Sequence, residues 1–236
     1  MGRQQGQQGM SLVGLMVGMA ISLLAILGAL SLHKTASRTL FGAGGLVVSA
    51  NQDGQLASGL LTAQIALQGA GFGLAAPAAN SQLLLLTGAS FDSETFKLLG
   101  TKADINATAQ DGNAVVWVQN PGLSADAGQH RCMALLSEPE TKAFYLLQSN
   151  GACQPLANQW SQITWKRQTL VGAGLLGQPV GLSALNAGAC WPYGALPEAI
   201  AKIAPPSAAV SVSLSYASSV TGSGNTYTSC LANLSS

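Results

Sequence analysis

The first third of the chain begins with a long uncharged stretch. From Met10 to Leu32 there are 23 consecutive residues without a charged side chain. As an α-helix they would extend about 34 Å, which is enough to cross a bilayer. A secretory signal peptide is the alternative, but its apolar region is typically about 7–15 residues long. The pattern therefore predicts a transmembrane helix over residues 10–32.

Residues 33–80 continue this helical pattern and then connect it to the rest of the chain. Apolar residues recur there at roughly helical spacing: Leu56, Leu60, Leu61, Ile65 and Leu67. Each glycine weakens a helix by about 1 kcal/mol relative to alanine, and three glycines lie between positions 42 and 45. We therefore expect a helix that is soft or broken between Gly42 and Gly45.

From residue 81 onwards the pattern changes to short runs that are typical of β-strands. Six runs have this character: 82–88, 113–120, 132–137, 143–148, 161–168 and 209–218. The last run shows clean alternation of apolar and polar residues from Val210 to Tyr216. The segment from Cys132 to Cys153 is interpreted as a hairpin with residues 138–142 as its loop. A β-rich domain over residues 81–236 is the prediction.

The stretch from Leu170 to Pro206 has weak periodicity and is rich in glycine, alanine and proline. It predicts a packed loop rather than regular structure. Two uses are open for such a loop, a contact region for partner subunits or a variable insertion.

Charge is scarce throughout the chain. Only 8% of its residues are charged, against about 25% in typical soluble domains, and the formal net charge is +1. There is no bulk field that would gather nucleic acid or acidic substrates. Nucleic acid is therefore not an expected partner.

The four cysteines, Cys132, Cys153, Cys190 and Cys230, all lie in the second half of the chain. Their spacing matches no paired zinc or redox pattern, so disulfides in an oxidising compartment are the better interpretation. Three connectivities are possible. Closure between nearest neighbours favours Cys132 with Cys153 and Cys190 with Cys230.

The residues that usually carry catalysis are few. His33 abuts the apolar helix, His130 is expected in a solvent-exposed loop, and no hydrolase, zinc-protease or phosphate-loop motif occurs. The acidic residues near predicted turns do not have the spacing of a calcium loop: Asp92, Glu94, Asp104, Asp111, Glu138 and Glu140. The tryptophans are expected in the core or in interfaces: Trp117, Trp160, Trp165 and Trp191. We expect no enzyme activity, cofactor or metal.

The short polar leader MGRQQGQQG is followed by Met10, Ser11, Leu12 and Val13. A leader that ends in Gly9 directly before such residues resembles the cleavage site of type IV prepilins. The resemblance implies that a prepilin peptidase cuts after Gly9 and that the new terminus, Met10, is N-methylated. It also implies an amino terminus in the cytoplasm and a carboxy-terminal domain in the periplasm of a bacterium.

A second segment, residues 60–77, looks like the helix end of PilW-like minor pilins, and Gln68 to Gly73 (QGAGFG) carry that resemblance. It implies an α+β fold. A long amino-terminal helix, with its first half in the membrane, would pack its second half against a small antiparallel β-sheet domain.

The fifth residue after the cut departs from the pilin pattern. Pilins usually have glutamate there, which is thought to pair with the terminal amine of a neighbouring subunit, whereas this chain has Gly14. Either a minor subunit tolerates the lost contact, or the subunit initiates the fibre or lies at its tip. Gly14, Gly18 and Ser22 also form a small-residue face through which two membrane helices could approach closely.

These expectations define a minor pilin-like structural subunit that takes part in type IV pilus assembly or initiation. Its partners would be other major and minor pilins, the prepilin peptidase and the inner membrane. A minor pseudopilin of type II secretion is one alternative. A single-pass, membrane-anchored binding protein, which would not be cut after Gly9, is another.

Overall fold

The computed structural model describes residues 12–42, 45–187, 190, 208, 210–217 and 224–234. These residues form two compact units that divide between Asn51 and Gln52. The first helix, α1, spans Leu12–Phe41 and buries none of its side chains. It contains the described part of the predicted membrane segment and continues past Leu32 to Phe41. The α+β class is confirmed, with a long apolar helix followed by an antiparallel β domain.

The predicted break between Gly42 and Gly45 is confirmed, because α1 ends at Phe41 and the next helix begins at Leu46. The Gly45 amide donates a hydrogen bond to the Gly42 carbonyl over 2.8 Å. A Cβ atom on Gly45 would come within 2.7 Å of the Leu40 carbonyl carbon. Glycine is therefore needed where the backbone turns this tightly.

Helix α2 spans Leu46–Gln68. Its buried side chains recur at helical spacing and belong to the domain core: Leu56, Leu60, Ala63 and Leu67. Two residues of the predicted apolar pattern lie outside this face, since Leu61 is 56% exposed and Ile65 is 62% exposed. The helix approaches the sheet closely at Gly59, where a Cβ atom would collide with the Leu170 carbonyl oxygen.

Within the described residues, ten strands follow α2, and every pair of these strands is antiparallel. Their bounds are β1 Leu83–Asp92, β2 Lys97–Ala103, β3 Gln110–Gly112, β4 Ala114–Gln119, β5 Arg131–Ser137, β6 Phe144–Ser149, β7 Trp165–Val171, β8 Gly181–Asn186, β9 Val210–Ala217 and β10 Gly224–Cys230. A short helix, α3, spans Leu156–Gln159. One sheet has the order β2-β1-β4-β5-β6-β7 and the other the order β10-β9-β8-β3.

All six predicted runs contain strands, although the run 161–168 forms β7 only from Trp165. The hairpin prediction is confirmed by β5 and β6, whose loop closes through a hydrogen bond from the Glu138 amide to the Ala143 carbonyl. The loop prediction for residues 170–206 is wrong at β8, which pairs with β3 and β9. Residues 191–207 lie outside the described part of the chain.

The six-stranded sheet is apolar on both faces. Leu83, Leu85, Val115 and Trp117 lie on the face that packs with α2 and with the second sheet. Their neighbours along the strands, Leu84, Leu86, Val116 and Val118, point into a second cluster. Leu156 of α3 and Trp160 just after it cover that cluster. Burial on both faces explains the continuous apolar runs of β1 and β4.

The two edges of the six-stranded sheet meet at one end. The start of β7 lies beside the turn between β1 and β2, where the Trp165 amide donates a hydrogen bond to the Phe96 carbonyl over 2.8 Å. Lys97 and Thr164 form an isolated antiparallel bridge at the same place. The sheet is therefore rolled rather than flat, and side chains of β1 and β7 become neighbours.

Candidate functional site

The surface of α1 is the first candidate site. Every large apolar side chain from Leu12 to Leu32 is at least 48% exposed. Among the described helices, Leu12–Phe41 is the one that is long and apolar enough to cross a membrane. A contiguous apolar surface of this size is unfavourable in water, which is consistent with a membrane-spanning segment.

Three small residues form one face of α1, as the sequence predicted from their spacing. Gly14 and Gly18 have no neighbouring atoms within 4 Å of the position of a Cβ atom. The Ser22 hydroxyl donates a hydrogen bond to the Gly18 carbonyl over 2.8 Å, which satisfies its polar hydrogen within the helix. Larger side chains flank this face and leave a shallow apolar groove along it: Leu15, Met19, Leu23 and Ile26.

The expected processing site, Gly9 and Met10, lies outside the described residues. The described part of α1 contains no acidic residue, and the first Asp or Glu in the sequence is Asp53. The carboxylate that is missing at Gly14 is therefore not supplied by another position of this helix. That a second helix packs on the small-residue face stays a prediction.

The segment Gln68–Gly73 forms the joint between α2 and the six-stranded sheet. Gly71 and Gly73 have φ angles of 75° and 69°, which favour glycine because a Cβ atom is strained there. The Gly71 amide donates to the Val118 carbonyl, and the Asn120 amide donates to the Phe72 carbonyl, both over 2.8 Å. These bonds attach the end of the helix to β4.

Two asparagine side chains complete the joint. Asn120 is 3% exposed, and its amide group donates to the Gly73 carbonyl over 3.0 Å and to the Ser124 carbonyl over 2.8 Å. Asn233 donates to the carbonyls of Gln68 and Ala70 over 3.0 and 3.1 Å, which caps the carboxy-terminal end of α2. The motif therefore serves the fold, and its one large apolar side chain, Phe72, is exposed.

The cysteines pair as nearest-neighbour closure predicted. Cys132 on β5 is bonded to Cys153 after β6, with Cα atoms 5.9 Å apart. Cys190 is bonded to Cys230 at the end of β10, with Cα atoms 5.6 Å apart. The first disulfide is buried in the core cluster that contains α3, and the second links β10 to the segment after β8.

The candidate chemical residues do not converge. Within the described ranges, no group of three or more histidine, cysteine or acidic side chains is placed to hold a metal ion. His130 lies in a loop, as predicted, but it is half-buried instead of solvent-exposed, with its Nε2 atom 3.3 Å from the Ser124 carbonyl oxygen. His33 lies on the exposed surface of α1.

The acidic and aromatic candidates have structural surroundings. Asp92 accepts hydrogen bonds from the Thr95 hydroxyl and from two turn amides, which lower the pKa of its carboxyl below 3.8. Trp117, Trp160 and Trp165 are buried in the core, as expected. Trp191 lies outside the described residues.

No pattern in the sequence indicates the depression that lies between the β1–β2 turn and the start of β7. Residues of three separate segments line it, 91–96, 150 and 165–167. The rolling of the sheet brings these segments together, and no sequence motif links them.

Comparison of the chain with protein-family models, with curated proteins and with solved structures finds no match.

Proposed function

We propose that the chain is a minor pilin-like structural subunit that takes part in the assembly or initiation of a type IV pilus. Prepilin peptidase cuts it after Gly9, and Met10 becomes the N-methylated first residue. The helix then holds the subunit in the bacterial inner membrane, with the amino terminus in the cytoplasm and the β domain in the periplasm, until it joins the fibre. The observation that carries the proposal is that the long apolar helix α1 buries none of its side chains.

A membrane alone accounts for an exposed apolar helix, but two features favour helix assembly as well. The small-residue face at Gly14, Gly18 and Ser22 allows the backbone of another helix to pack more closely. On α2, Leu61 and Ile65 form an exposed apolar stripe outside the domain core. A simple anchor needs neither feature.

The β domain fits an exported subunit. The whole chain has 8% charged residues and 28 glycines, so few charges are available for surface ion pairs and many backbone positions are flexible. Two disulfides compensate, each by roughly 2–4 kcal/mol on the chain-entropy account. Such bonds persist in oxidising compartments such as the periplasm.

The residue at position 14 supports a place at the tip or in the initiating complex. A carboxylate buried among apolar helices needs a partner, because an isolated charge there costs several kcal/mol. A first subunit has no predecessor whose terminal amine could pair with it. Glycine at this position avoids that cost.

The decisive experiment determines the mature amino terminus by mass spectrometry in cells with and without prepilin peptidase. We expect N-methylated Met10 in the first and unprocessed Met1 in the second. Gly9→Leu should block the cut, whereas the matched leader variant Gly6→Leu should not. Unprocessed Met1 in both strains would show that the chain is an anchored protein of another class.

A second experiment tests the small-residue face. Gly18→Leu fills the groove on α1 and should reduce co-purification with other pilins several-fold, because the helix backbones can no longer approach. Gly28→Leu adds the same side chain at a glycine outside the three-residue face and serves as the control. Equal loss in both variants, or in neither, would contradict packing through Gly18.

A further inference from the structure

The depression between the β1–β2 turn and β7 has a volume of about 480 Å³ and is open to solvent. Six of its lining residues are Phe91, Ser93, Phe96, Asn150, Lys166 and Arg167, and the buried Trp165 also contributes. The hydrogen bond from the Trp165 amide to the Phe96 carbonyl fixes one side of the depression to the other. The site is therefore formed before any ligand arrives.

Arg167 is held in place by two aromatic rings. Its guanidinium carbon lies 5.0 Å from the Phe91 ring centroid and 4.8 Å from the Tyr145 ring centroid. Stacking on rings restricts the guanidinium group and leaves its N–H edge free to donate in a planar fork.

The nearby acidic groups are not among the lining residues. Asp92 accepts hydrogen bonds from the amides of Glu94 and Thr95 and from the Thr95 hydroxyl, and so holds the turn. Glu138 is half-buried and interacts electrostatically with Arg167, whose charge opposes the rise in the pKa of its carboxyl. Among the described residues that line the depression there is no carboxylate, whereas Lys166 and Arg167 are both present. In a chain with so few charges, this is a locally positive site.

The other lining groups suit a ring with hydroxyl groups. Phe96 is 54% exposed and has a φ angle of 56°, which presents its ring at the tip of the turn. Ser93 and Asn150 are exposed neutral hydrogen-bonding groups beside it. An aromatic ring can cover the apolar face of a sugar while such groups contact its hydroxyls.

We propose that this depression binds a carboxylated sugar, that is, a hexuronate residue of an acidic polysaccharide. The planar fork of Arg167 matches the two oxygens of a carboxylate, and the ring stacks on Phe96. Nucleic acid fits less well, because binding a single strand needs cations along the length of a groove. Among the described residues, two cations line the site.

The test measures binding of trigalacturonic acid to the full-length protein in detergent micelles by calorimetry. Its neutral methyl ester is a ligand of matched size, and a four-residue oligothymidylate is an anion of different class. We expect the acid to bind at least tenfold more tightly than either comparison ligand. Added salt should weaken its binding.

Three variants assign the binding to this depression. Arg167→Gln should weaken binding of the acid at least tenfold, and the control Arg131→Gln, which removes an exposed arginine at the start of β5, should leave it unchanged. Phe96→Asn replaces the aromatic ring by a side chain whose residue tolerates a positive φ angle. This variant should also weaken binding of the acid. It keeps the test decisive if Arg167→Gln fails to fold, which tryptophan fluorescence would reveal.

Equal binding of acid and ester would overturn the proposal, as would equal loss in Arg131→Gln and the site variants. Tighter binding of the oligothymidylate would assign the depression to nucleic acid instead. No binding of the acid at millimolar concentration would also overturn it. None of these outcomes bears on the cut after Gly9, so the assembly function is tested separately.

Discussion

Replacing Asn120 by alanine tests how strongly the joint between α2 and the sheet holds the β domain. The side chain makes three hydrogen bonds, two as donor to the carbonyls of Gly73 and Ser124 and one as acceptor from the Ser124 amide over 2.9 Å. Each such bond contributes about 1 kcal/mol net, and buried groups left unpaired add to the cost. We expect Asn120→Ala to lower the free energy of unfolding by roughly 3 kcal/mol.

The assay is thermal unfolding of the full-length protein in micelles, followed by tryptophan fluorescence, since three described tryptophans lie in the core. For a domain of this size, 3 kcal/mol corresponds to a fall in Tm of about 6–12 °C. Asn158→Ala removes an exposed asparagine and should change stability by no more than about 0.5 kcal/mol. If both variants unfold at the same temperature, the hydrogen bonds of Asn120 do not hold the joint.

Three further predictions concern the β domain. Gly73→Ala should destabilise the domain by about 2 kcal/mol or more in denaturant unfolding, because at this positive φ angle a Cβ atom collides with the Asn120 carbonyl. The control Gly122→Ala places its Cβ atom in open space and should not destabilise the domain. Cys153→Ser should cost about 3 kcal/mol in the same assay, and reductant, which breaks the Cys190–Cys230 bond as well, should destabilise the wild type more than this single variant. Burial, and after it the charge of the neighbouring Glu140 carboxylate, raises the pKa of Glu138 above its ordinary value. The folded state therefore binds this proton more tightly than the unfolded state does. The protein loses stability as the pH rises through the raised pKa. Replacing Glu138 by glutamine should therefore raise Tm at pH 7 but not below pH 4, unlike Glu94→Gln, and an equal gain at both pH values would contradict this.

The parts of the fold that sequence could predict are those in which burial follows the backbone period. The strands β4, β5 and β6 are buried on both faces, so their apolar runs are unbroken. The break after Phe41 follows from the local conformation of glycine. The disulfide pairing also agrees with closure between neighbours in sequence.

The missed strands lack that signal. β10 has the sequence GNTYTSC, and its first five residues are exposed, so no apolar alternation marks it. β2 contains Gly100 and buries fully only Leu98. β8 is short and lies within a segment of weak periodicity. β3 has only three residues, and none of them is buried. Pairing with a neighbouring strand, and not an apolar pattern of their own, determines all four.

The two candidate sites also differ in whether the sequence alone can predict them. The small-residue face of α1 depends only on a spacing of four residues, so the sequence shows it directly. The depression at Arg167 depends on the contact between β7 and the β1–β2 turn, which lie about seventy residues apart and share no motif. No periodicity could have brought Phe91 and Arg167 together.

The two segments that resemble pilins differ in what they can prove. In Gln68–Gly73, the glycines are needed because the backbone turns with positive φ angles against the strand end at Asn120. Any helix that docks on a sheet in this manner would need them, so this segment is evidence about the joint and not about assembly. The segment from Gly9 to Val13 has no comparable structural requirement, because a membrane helix can begin after many sequences. Its pattern is therefore explained by processing or by chance, and the mature amino terminus distinguishes the two.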